Sequence, residues 1–256
     1  MIALIPARAG SARLPGKHLR LLGGLPLIDY TLAAARGSAW FERIEVWSDD
    51  QAVLAYAADR GIAAHWRPPV SADQPDIDWV REALVSPRAD TFAILRATSP
   101  FRTAATIRRA GAQFTSMGSC GDSLRAVEPV TQTPYKMWTW EGPGQPIQPL
   151  LAGTNPAGVP WHSCPTQTCP QVWAQNACLE MGWTANVEVH GTIHGRKVAP
   201  FFTEGYEGVD LNTEADWAYA EWLLATGRVT GSSLNEWVPI GMEKDGRIVL
   251  ASTLPE

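Results

Sequence analysis

The 256-residue sequence has no long apolar run, and this shortage excludes whole classes of protein. No stretch approaches the roughly 18 apolar residues of a transmembrane helix. The N-terminus is apolar over residues 1–6 and then turns basic, whereas a signal peptide places its charge ahead of an apolar stretch of about 7–15 residues. We therefore expect a cytoplasmic protein without a membrane partner.

Cysteine is scarce, and none of the four residues forms the Cys-x-x-Cys pair typical of zinc sites. Cys164 and Cys169 lie closest together, with His162 beside them. These residues allow a metal-ligand pair or a disulfide, but a cytoplasmic chain of this length needs neither for stability. We interpret them as small, half-buried thiols.

Basic residues are outnumbered, with 21 Lys and Arg against 26 Asp and Glu and a net charge of −5. A protein that holds the nucleic-acid backbone needs a net positive charge or a basic face, so we expect no nucleic-acid partner. Hydrophobic residues make up 45% and charged residues 18% of the chain, which suits a folded core rather than a disordered chain. The overall balance leaves room for a local basic cleft that binds a phosphorylated small molecule.

Short apolar runs alternate with helical patterns in the first half of the chain. This alternation predicts an α/β fold of three layers, with a mostly parallel sheet covered by helices on both faces. In such sheets ligands bind at the carboxyl ends of the strands. The predicted strands are 2–5, 44–48, 62–66 and 91–95, and the predicted helices are 27–36, 51–60, 77–85, 103–117 and 213–225. Trp217 and Trp222 have helical spacing in the last helix, which predicts both for the core.

The second half is irregular and rich in proline and tryptophan. We predict a main domain of residues 1–228 with an inserted lobe at about residues 129–200, which serves as a lid or a subunit contact. Trp138, Trp140 and Trp161 lie in this lobe and are predicted for an interface, where large aromatic side chains carry much of the binding energy. Strand-like segments resume at 172–181 and 197–202. A C-terminal extension, 229–256, carries a predicted hairpin around Lys244-Asp-Gly246.

A loop of residues 5–17 follows the first predicted strand and concentrates positive charge. It matches neither of the familiar phosphate-binding glycine motifs. It does supply three cations and three small residues that let backbone N–H groups face a ligand, namely Arg8, Arg13 and Lys17 with Gly10, Ser11 and Gly16. Three cations suit a triphosphate, whose charge must be neutralised before phosphorus is attacked. From these residues alone, an ordinary basic surface turn explains the loop equally well.

An ordered set of short motifs carries a family resemblance. Ile5-Pro-Ala-Arg8, Ser11 and Leu14-Pro-x-Lys17 are followed by Thr98-Ser-Pro-Phe-Arg102, Pro134-Tyr-Lys136, Gln175-Asn-Ala177 and Gly208-Val-Asp-Leu-Asn212. Together they resemble the acylneuraminate cytidylyltransferases, which activate nonulosonic acids and are related to the CMP-Kdo synthetases. The matches come in the family's order and extend from residue 2 to about residue 224.

The resemblance implies a fold, a reaction and a set of residues. The fold is the Rossmann-like sheet of the nucleotide-diphospho-sugar transferases, and the protein is a homodimer. The 2-hydroxyl of an acidic ulosonic sugar attacks the α-phosphorus of CTP, pyrophosphate leaves, and Mg²⁺ assists. The implied catalytic residues are Arg8, Lys17 and Asp210; the nucleotide contacts are Ala7, Arg8, Gly10, Ser11, Arg13, Lys17 and Arg67; the acceptor contacts are Arg96, Thr98, Ser99, Lys136, Gln175 and Asn176; and the magnesium ligands are Asp210 and Asn212.

Two of these residues have ordinary structural interpretations. Without the family match, Asp210 is explained as a cap for the helix that follows, and Arg67 as a surface residue before a proline turn. Asp49 and Asp50 are predicted to cap the second helix, and His190 and His194 to be surface or interface residues.

The sequence also departs from the family pattern. Asn212 replaces the second carboxylate of an Asp-x-Asp motif, which predicts weaker metal binding. Arg96 replaces a Gln, Glu180 replaces a Tyr, and Ala174 replaces an Arg that clamps the acceptor, so that Arg96 is a candidate substitute.

These departures motivate two alternatives to the proposed reaction. One is an acceptor that carries phosphate or phosphonate, bound by clustered Arg96, Arg102 and Lys136. The other is a nucleotide-binding homologue without catalysis.

Replacement of Lys17 by Ala is expected to abolish turnover and to leave the fold intact, because an exposed loop charge contributes little to stability. Pyrophosphate release and circular dichroism measure the two effects. Activity that survived the substitution would contradict the assignment of the loop to phosphate binding.

Overall fold

The computed structural model describes residues 1–10, 13–69, 74–85 and 89–229. Its strands are β1 Ile2–Pro6, β2 Leu21–Leu22, β3 Leu25–Pro26, β4 Arg43–Ser48, β5 Ala63–Trp66, β6 Thr91–Ile94, β7 Ser123–Pro129, β8 Trp138–Thr139, β9 Gln148–Pro149, β10 Trp173–Trp183 and β11 Val198–Phe202. Its α-helices are α1 Leu27–Ser38, α2 Gln51–Ala58, α3 Ile77–Ala83, α4 Ala104–Ser116, α5 Thr184–His190 and α6 Glu214–Ala225.

A seven-stranded sheet in the order β11-β7-β10-β6-β1-β4-β5 forms the centre of the fold. Strand β1 pairs in parallel with β4 on one side and β6 on the other, and β4 pairs in parallel with β5. Strand β10 runs antiparallel to β6. The carboxyl ends of the four parallel strands therefore meet at one edge, as the alternating pattern predicts.

Helices cover both faces of this sheet and complete the three predicted layers. Side chains of β1 alternate between two apolar clusters because successive residues of a strand point to opposite faces. Ala3 and Ile5 pack in the cluster that includes residues of α1, α2 and α4. Ile2 and Leu4 pack in the cluster that includes residues of α3 and α5. All four are fully buried, and each large side chain contributes about 1.5–3 kcal/mol relative to exposure.

Three helices begin at residues whose side chains cap them, and Asp50 is one of the predicted caps. The side chains of Asp50, Thr103 and Thr213 accept hydrogen bonds from the first turns of α2, α4 and α6. In α6 a capping box joins Thr213 to Asp216. Such caps satisfy N–H groups that have no partner within the helix.

The prediction for Trp222 is wrong. Helix α6 buries Trp217, Ala220 and Leu223, which lie three residues apart along one face. Trp222 lies off this face and is 44% exposed. Strand β7 and helix α5 were not predicted from the sequence.

A smaller compact unit, Val127–Gln175, interrupts the larger one formed by Met1–Ala126 and the chain from Asn176. The smaller unit contains the β8–β9 hairpin and three short 3-10 helices, at Pro134–Lys136, Trp161–Ser163 and Thr166–Thr168. Cys164 and Cys169 are free thiols, the first buried and the second half-buried. Residues 176–200 contribute β10, α5 and part of β11 to the larger unit.

Within the described ranges, no helix has both the length and the apolar character needed to cross a membrane. The predicted hairpin at residues 244–246 lies outside the described residues.

Candidate functional site

A cleft of about 320 Å³ lies at the carboxyl edge of the parallel strands. Its walls come from the segments after β1, β5 and β6 and from the turn before α6. Of the predicted site residues, it brings together Arg8, Gly10, Arg13, Lys17, Arg67, Arg96, Thr98, Asp210 and Asn212. Five cations in one cleft favour an anionic ligand, although the net charge of the chain is negative.

The loop after β1 is held in place by β4 and the residue that follows it. The Ala7 N–H donates to the Trp47 carbonyl at 2.9 Å, and the Ser48 hydroxyl donates to the Ala7 carbonyl at 2.5 Å. The Ala9 N–H donates to Asp49 Oδ1 at 2.6 Å. The Ala7 N–H is thus used inside the fold, whereas Arg8 and Gly10 remain exposed at the cleft. Ser11 lies outside the described residues.

Lys17 is buried, which corrects the expectation of an exposed loop charge. Only 7% of the residue is exposed, and its ammonium donates to the Leu211 carbonyl at 3.0 Å and to Asn212 Oδ1 at 3.4 Å. Burial lowers the pKa of Lys17, and the charges of Arg13 and Arg8 add to this effect, while Asp210 opposes it. The Lys17→Ala protein therefore also loses a charged hydrogen bond, which contributes about 1.5–3 kcal/mol to stability.

Asp210 does not cap helix α6, so the capping interpretation is wrong. Thr213 and Asp216 fill that role, and Asp216 Oδ2 also accepts from the Asn212 N–H at 2.9 Å. Asp210 Oδ2 instead accepts a hydrogen bond from Asn212 Nδ2. Its Oδ1 atom is buried and has no hydrogen-bond partner within the described part of the chain. A carboxylate oxygen left open in this way is suited to a ligand-borne cation.

The described residues offer no cluster of three or more His, Cys, Asp or Glu side chains for a metal ion. Mg²⁺ does not need one, because it keeps several waters and commonly binds one or two carboxylates together with substrate phosphates. The open oxygen of Asp210 fits a single protein ligand of this kind.

Arg67 is not the surface residue of the ordinary interpretation. Only 2% of it is exposed, and its guanidinium lies over the Trp79 ring, 4.9 Å from the ring centroid. Asp76 Oδ1 lies 3.9 Å from Arg67 Nη2. Burial lowers the pKa of Arg67. A buried cation on the cleft wall, backed by an aromatic ring, is placed to meet an anionic or aromatic part of a ligand.

Arg96 and Glu180, two residues that depart from the family pattern, form an ion pair with each other. Arg96 Nη2 lies 2.6 Å from Asp76 Oδ2 and 3.1 Å from Glu180 Oε1. Glu180 also pairs with Arg125. Burial lowers the pKa of Arg96, but the two carboxylates outweigh it and raise the pKa above the ordinary value. His194 lies 2.6 Å from Arg125 Nη2, so it belongs to this network and is not simply a surface residue.

Several predicted residues are not among those that line the cleft. Ser99 and Arg102 are buried, and Arg102 donates to the carbonyl of Cys178 and to Thr31 Oγ1, which makes it a structural link. Asn176 Nδ2 donates to Thr203 Oγ1 at 2.9 Å. Lys136 and Gln175 are exposed residues of the smaller unit.

Sequence reasoning missed two residues of the cleft, His18 and Asp76. His18 hydrogen-bonds the Arg8 backbone, and burial, with the Lys17 charge, lowers its pKa to about 4. Burial raises the pKa of Asp76, but Arg96, Trp79 and Arg67 outweigh it, and the pKa lies below the ordinary value. The position of His18 directly after Lys17 is the only local signal for either residue.

A mostly parallel sheet with a basic cleft at the carboxyl ends of its strands suits a protein that binds a nucleotide. Residues 2–127 match the family model described as cytidylyltransferase. The CMP-N,N'-diacetyllegionaminic acid synthase of Legionella pneumophila is 28% identical over 240 residues, which cover 88% of this chain and 96% of that protein. The N-acylneuraminate cytidylyltransferase of Oncorhynchus mykiss is 25% identical, over 97% of this chain and 57% of that protein.

Solved structures share the fold. A CMP:2-keto-3-deoxy-manno-octonic acid synthetase complexed with CTP superimposes with a TM-score of 0.61 at 16% identity, over 88% of this chain and 98% of that one. The 4-diphosphocytidyl-2C-methyl-D-erythritol synthase of Anaerococcus prevotii gives a TM-score of 0.58 at 10% identity, with the same coverage. The first half of the chain thus matches the cytidylyltransferase model, and the protein is a nucleotidyltransferase.

The buried His18 predicts a pH-dependent loss of stability. Its pKa is about 4 in the folded protein against an ordinary 6.5, so the unfolded chain takes up a proton first as the pH falls. Stability is therefore retained above pH 6.5 and lost between pH 6.5 and 4, by up to about 3 kcal/mol. Urea unfolding at pH 7 and pH 4 should show a smaller drop for His18→Gln than for the wild type. The matched control is His190→Gln, because His190 is exposed. A drop in unfolding free energy as large in His18→Gln as in the wild type would contradict the prediction.

Proposed function

We propose that this protein transfers CMP from CTP to the 2-hydroxyl of an acidic ulosonic sugar of the nonulosonic acid type and releases pyrophosphate. The observation that carries the proposal is the convergence of Lys17 and Asp210 in one cleft, from loops 193 or more positions apart. The ammonium suits a phosphate, and the carboxylate with an open oxygen suits a phosphate-bound cation. The likeness to enzymes named for legionaminic and acylneuraminic acids supports the acceptor class.

The nucleotide side of the cleft neutralises charge. Arg8 and Arg13 are exposed at the cleft, and Lys17 is anchored beside Asp210. These cations compensate the charge that develops on the leaving pyrophosphate, which is the main demand of phosphoryl-group transfer. We propose Asp210 as the protein ligand of Mg²⁺, which when bound neutralises phosphate oxygens and makes phosphorus more electrophilic.

The acceptor side favours a carboxylate over a phosphate. Two carboxylates, Asp76 and Glu180, already compensate much of the positive charge of Arg96. Arg102 is buried, donates to the Cys178 carbonyl and to Thr31 Oγ1, and does not join Arg96 in the cleft as a second cation. A dianionic phosphate would need more cations than this, whereas the single charge of an acidic sugar matches the guanidinium of Arg96.

We further propose a cytoplasmic homodimer that forms through the smaller unit, Val127–Gln175. Trp138, Trp140 and Trp173 are between 44% and 60% exposed there, and exposed aromatic side chains of this size are typical of interfaces. Trp161 packs against Tyr135 inside the unit, with ring centroids 5.4 Å apart, and is the weaker interface candidate.

The activity is tested with purified protein, CTP, Mg²⁺ and a panel of eight- and nine-carbon ulosonic acids, a sugar phosphate and a phosphonate. Pyrophosphate is followed, and the product is identified by its mass. We expect release with a nonulosonic acid, because the cleft pairs a triphosphate-binding loop with one acceptor cation. Release with only the phosphorylated acceptors would favour the alternative acceptor. CTP binding without any release would favour the non-catalytic homologue.

Replacement of Arg96 by Gln is expected to raise the KM for the acidic sugar by about tenfold or more, since one charged hydrogen bond is lost. The KM for CTP should change by no more than about twofold, which also shows that the cleft remains folded. The control is Arg108→Gln on the exposed face of α4, where the guanidinium donates to the Gly37 carbonyl at 2.9 Å. An unchanged KM for the acceptor would remove Arg96 from the acceptor site.

A further inference from the structure

We infer that Asn212 is a positioning residue that joins Lys17 to Asp210, and that it is not a ligand of the metal ion. This inference rests on the proposed function for its meaning in catalysis. Both ends of the Asn212 amide are used within the cleft. Its Oδ1 accepts from the Lys17 ammonium at 3.4 Å, and its Nδ2 donates to Asp210 Oδ2.

The charge around the amide oxygen argues against a metal ion there. A divalent cation bound to Asn212 Oδ1 would share that oxygen with the Lys17 ammonium, and two cations a few ångströms apart repel each other strongly in a partly buried site. Asp210 Oδ1 is the opposite case, because it is negative, buried and without a partner among the described residues. The two oxygens are therefore suited to different cations, an ammonium at Asn212 and a metal ion at Asp210.

The backbone holds Asn212 firmly in this role. Its N–H donates to Asp216 Oδ2 at 2.9 Å, and the neighbouring Leu211 N–H donates to the Thr98 carbonyl at 2.9 Å. The Leu211 carbonyl accepts the second hydrogen bond of Lys17. Residues 211–212 are thus anchored to the start of α6 and to the segment after β6, and Lys17 is anchored to them.

A carboxylate at position 212 could not make the same arrangement. An aspartate has no N–H to donate, so it would repel Asp210 where the amide now binds it. The amide leaves Asp210 with one open oxygen and adds no second negative charge at position 212. A metal ion bound to Asp210 would then take most of its ligands from phosphate oxygens and water, so that the ion and the nucleotide would bind together.

The test is a double-mutant cycle of Lys17→Ala and Asn212→Ala, with Asn155→Ala as a matched control. Asn155 is also a half-buried asparagine that accepts two backbone hydrogen bonds, but it lies in the smaller unit. The first measurement is the urea midpoint without nucleotide. If Asn212 contacts Lys17, the double variant loses less stability than the sum of the two single losses. Additive losses overturn the contact, whether or not the protein binds CTP.

The second measurement is CTP affinity by calorimetry with Mg²⁺ and no acceptor. We expect Asn212→Ala to weaken binding by about tenfold and Lys17→Ala by about 100-fold, with the double variant within about twofold of Lys17→Ala. Additive losses contradict the positioning role. Failure of the wild type to bind CTP would instead overturn the proposed function, and the urea cycle would still decide the contact.

The third measurement separates positioning from metal ligation. Mn²⁺ is titrated into the protein–CTP complex and followed by electron paramagnetic resonance. The protein carries ¹³C-labelled asparagine, because an amide oxygen bound to Mn²⁺ holds its carbonyl carbon one bond away from the ligating atom. The affinity alone does not separate the two roles, since loss of a residue that positions a metal ligand also weakens metal binding. We expect the ¹³C coupling of the bound Mn²⁺ to be the same in the wild type and in Asn212→Ala. A strong ¹³C coupling that disappears in Asn212→Ala would show that the amide is a ligand and would overturn the inference.

Discussion

The pairing of β1 on both sides is the constraint on which the cleft depends. Parallel hydrogen bonds to β4 and β6 leave β1 one direction and one register. Its alternating side chains are buried in both layers, so a slip of one residue would exchange the two faces. The chain must therefore leave β1 at the carboxyl edge. Because they follow β1 directly in the sequence, Arg8, Arg13 and Lys17 lie at that edge.

The charged side chains after β5 and β6 on the cleft wall are also fixed by their neighbours, because each is paired with a residue of opposite charge. Arg67, Asp76 and Arg96 line the cleft and alternate in sign, and Glu180 and Arg125 continue this chain of ion pairs from Arg96. A buried ion is costly unless it is paired, and such a chain spreads the cost over several partners. The wall is thus nearly neutral, and the positive charge that faces a ligand is concentrated at the loop after β1. The net charge of −5 says nothing about this local separation.

Much of the fold could be predicted because its signals are local. Apolar periodicity and capping residues such as Asp50 act within a few positions of the chain. The burial of Lys17 could not be predicted, because its partners are 194 and 195 positions away. The partnership of Arg96 with Glu180, 84 positions apart, explains two departures that look unrelated in the sequence. The burial of Arg102 could not be predicted for the same reason. Its motif, Thr98–Arg102, predicts contact with a ligand, but the folded chain buries the side chain in the core.

The manner in which the smaller unit is inserted has an evolutionary consequence. The chain enters it from β7 and returns through β10, and these strands are neighbours in the sheet. The Val130 N–H even donates to the Val172 carbonyl at 3.4 Å, close to the two ends of the unit. An insert whose ends are already adjacent adds little closure entropy when its length changes. Lineages can therefore lengthen, shorten or exchange this module while the register of the strands that carry the cleft is preserved.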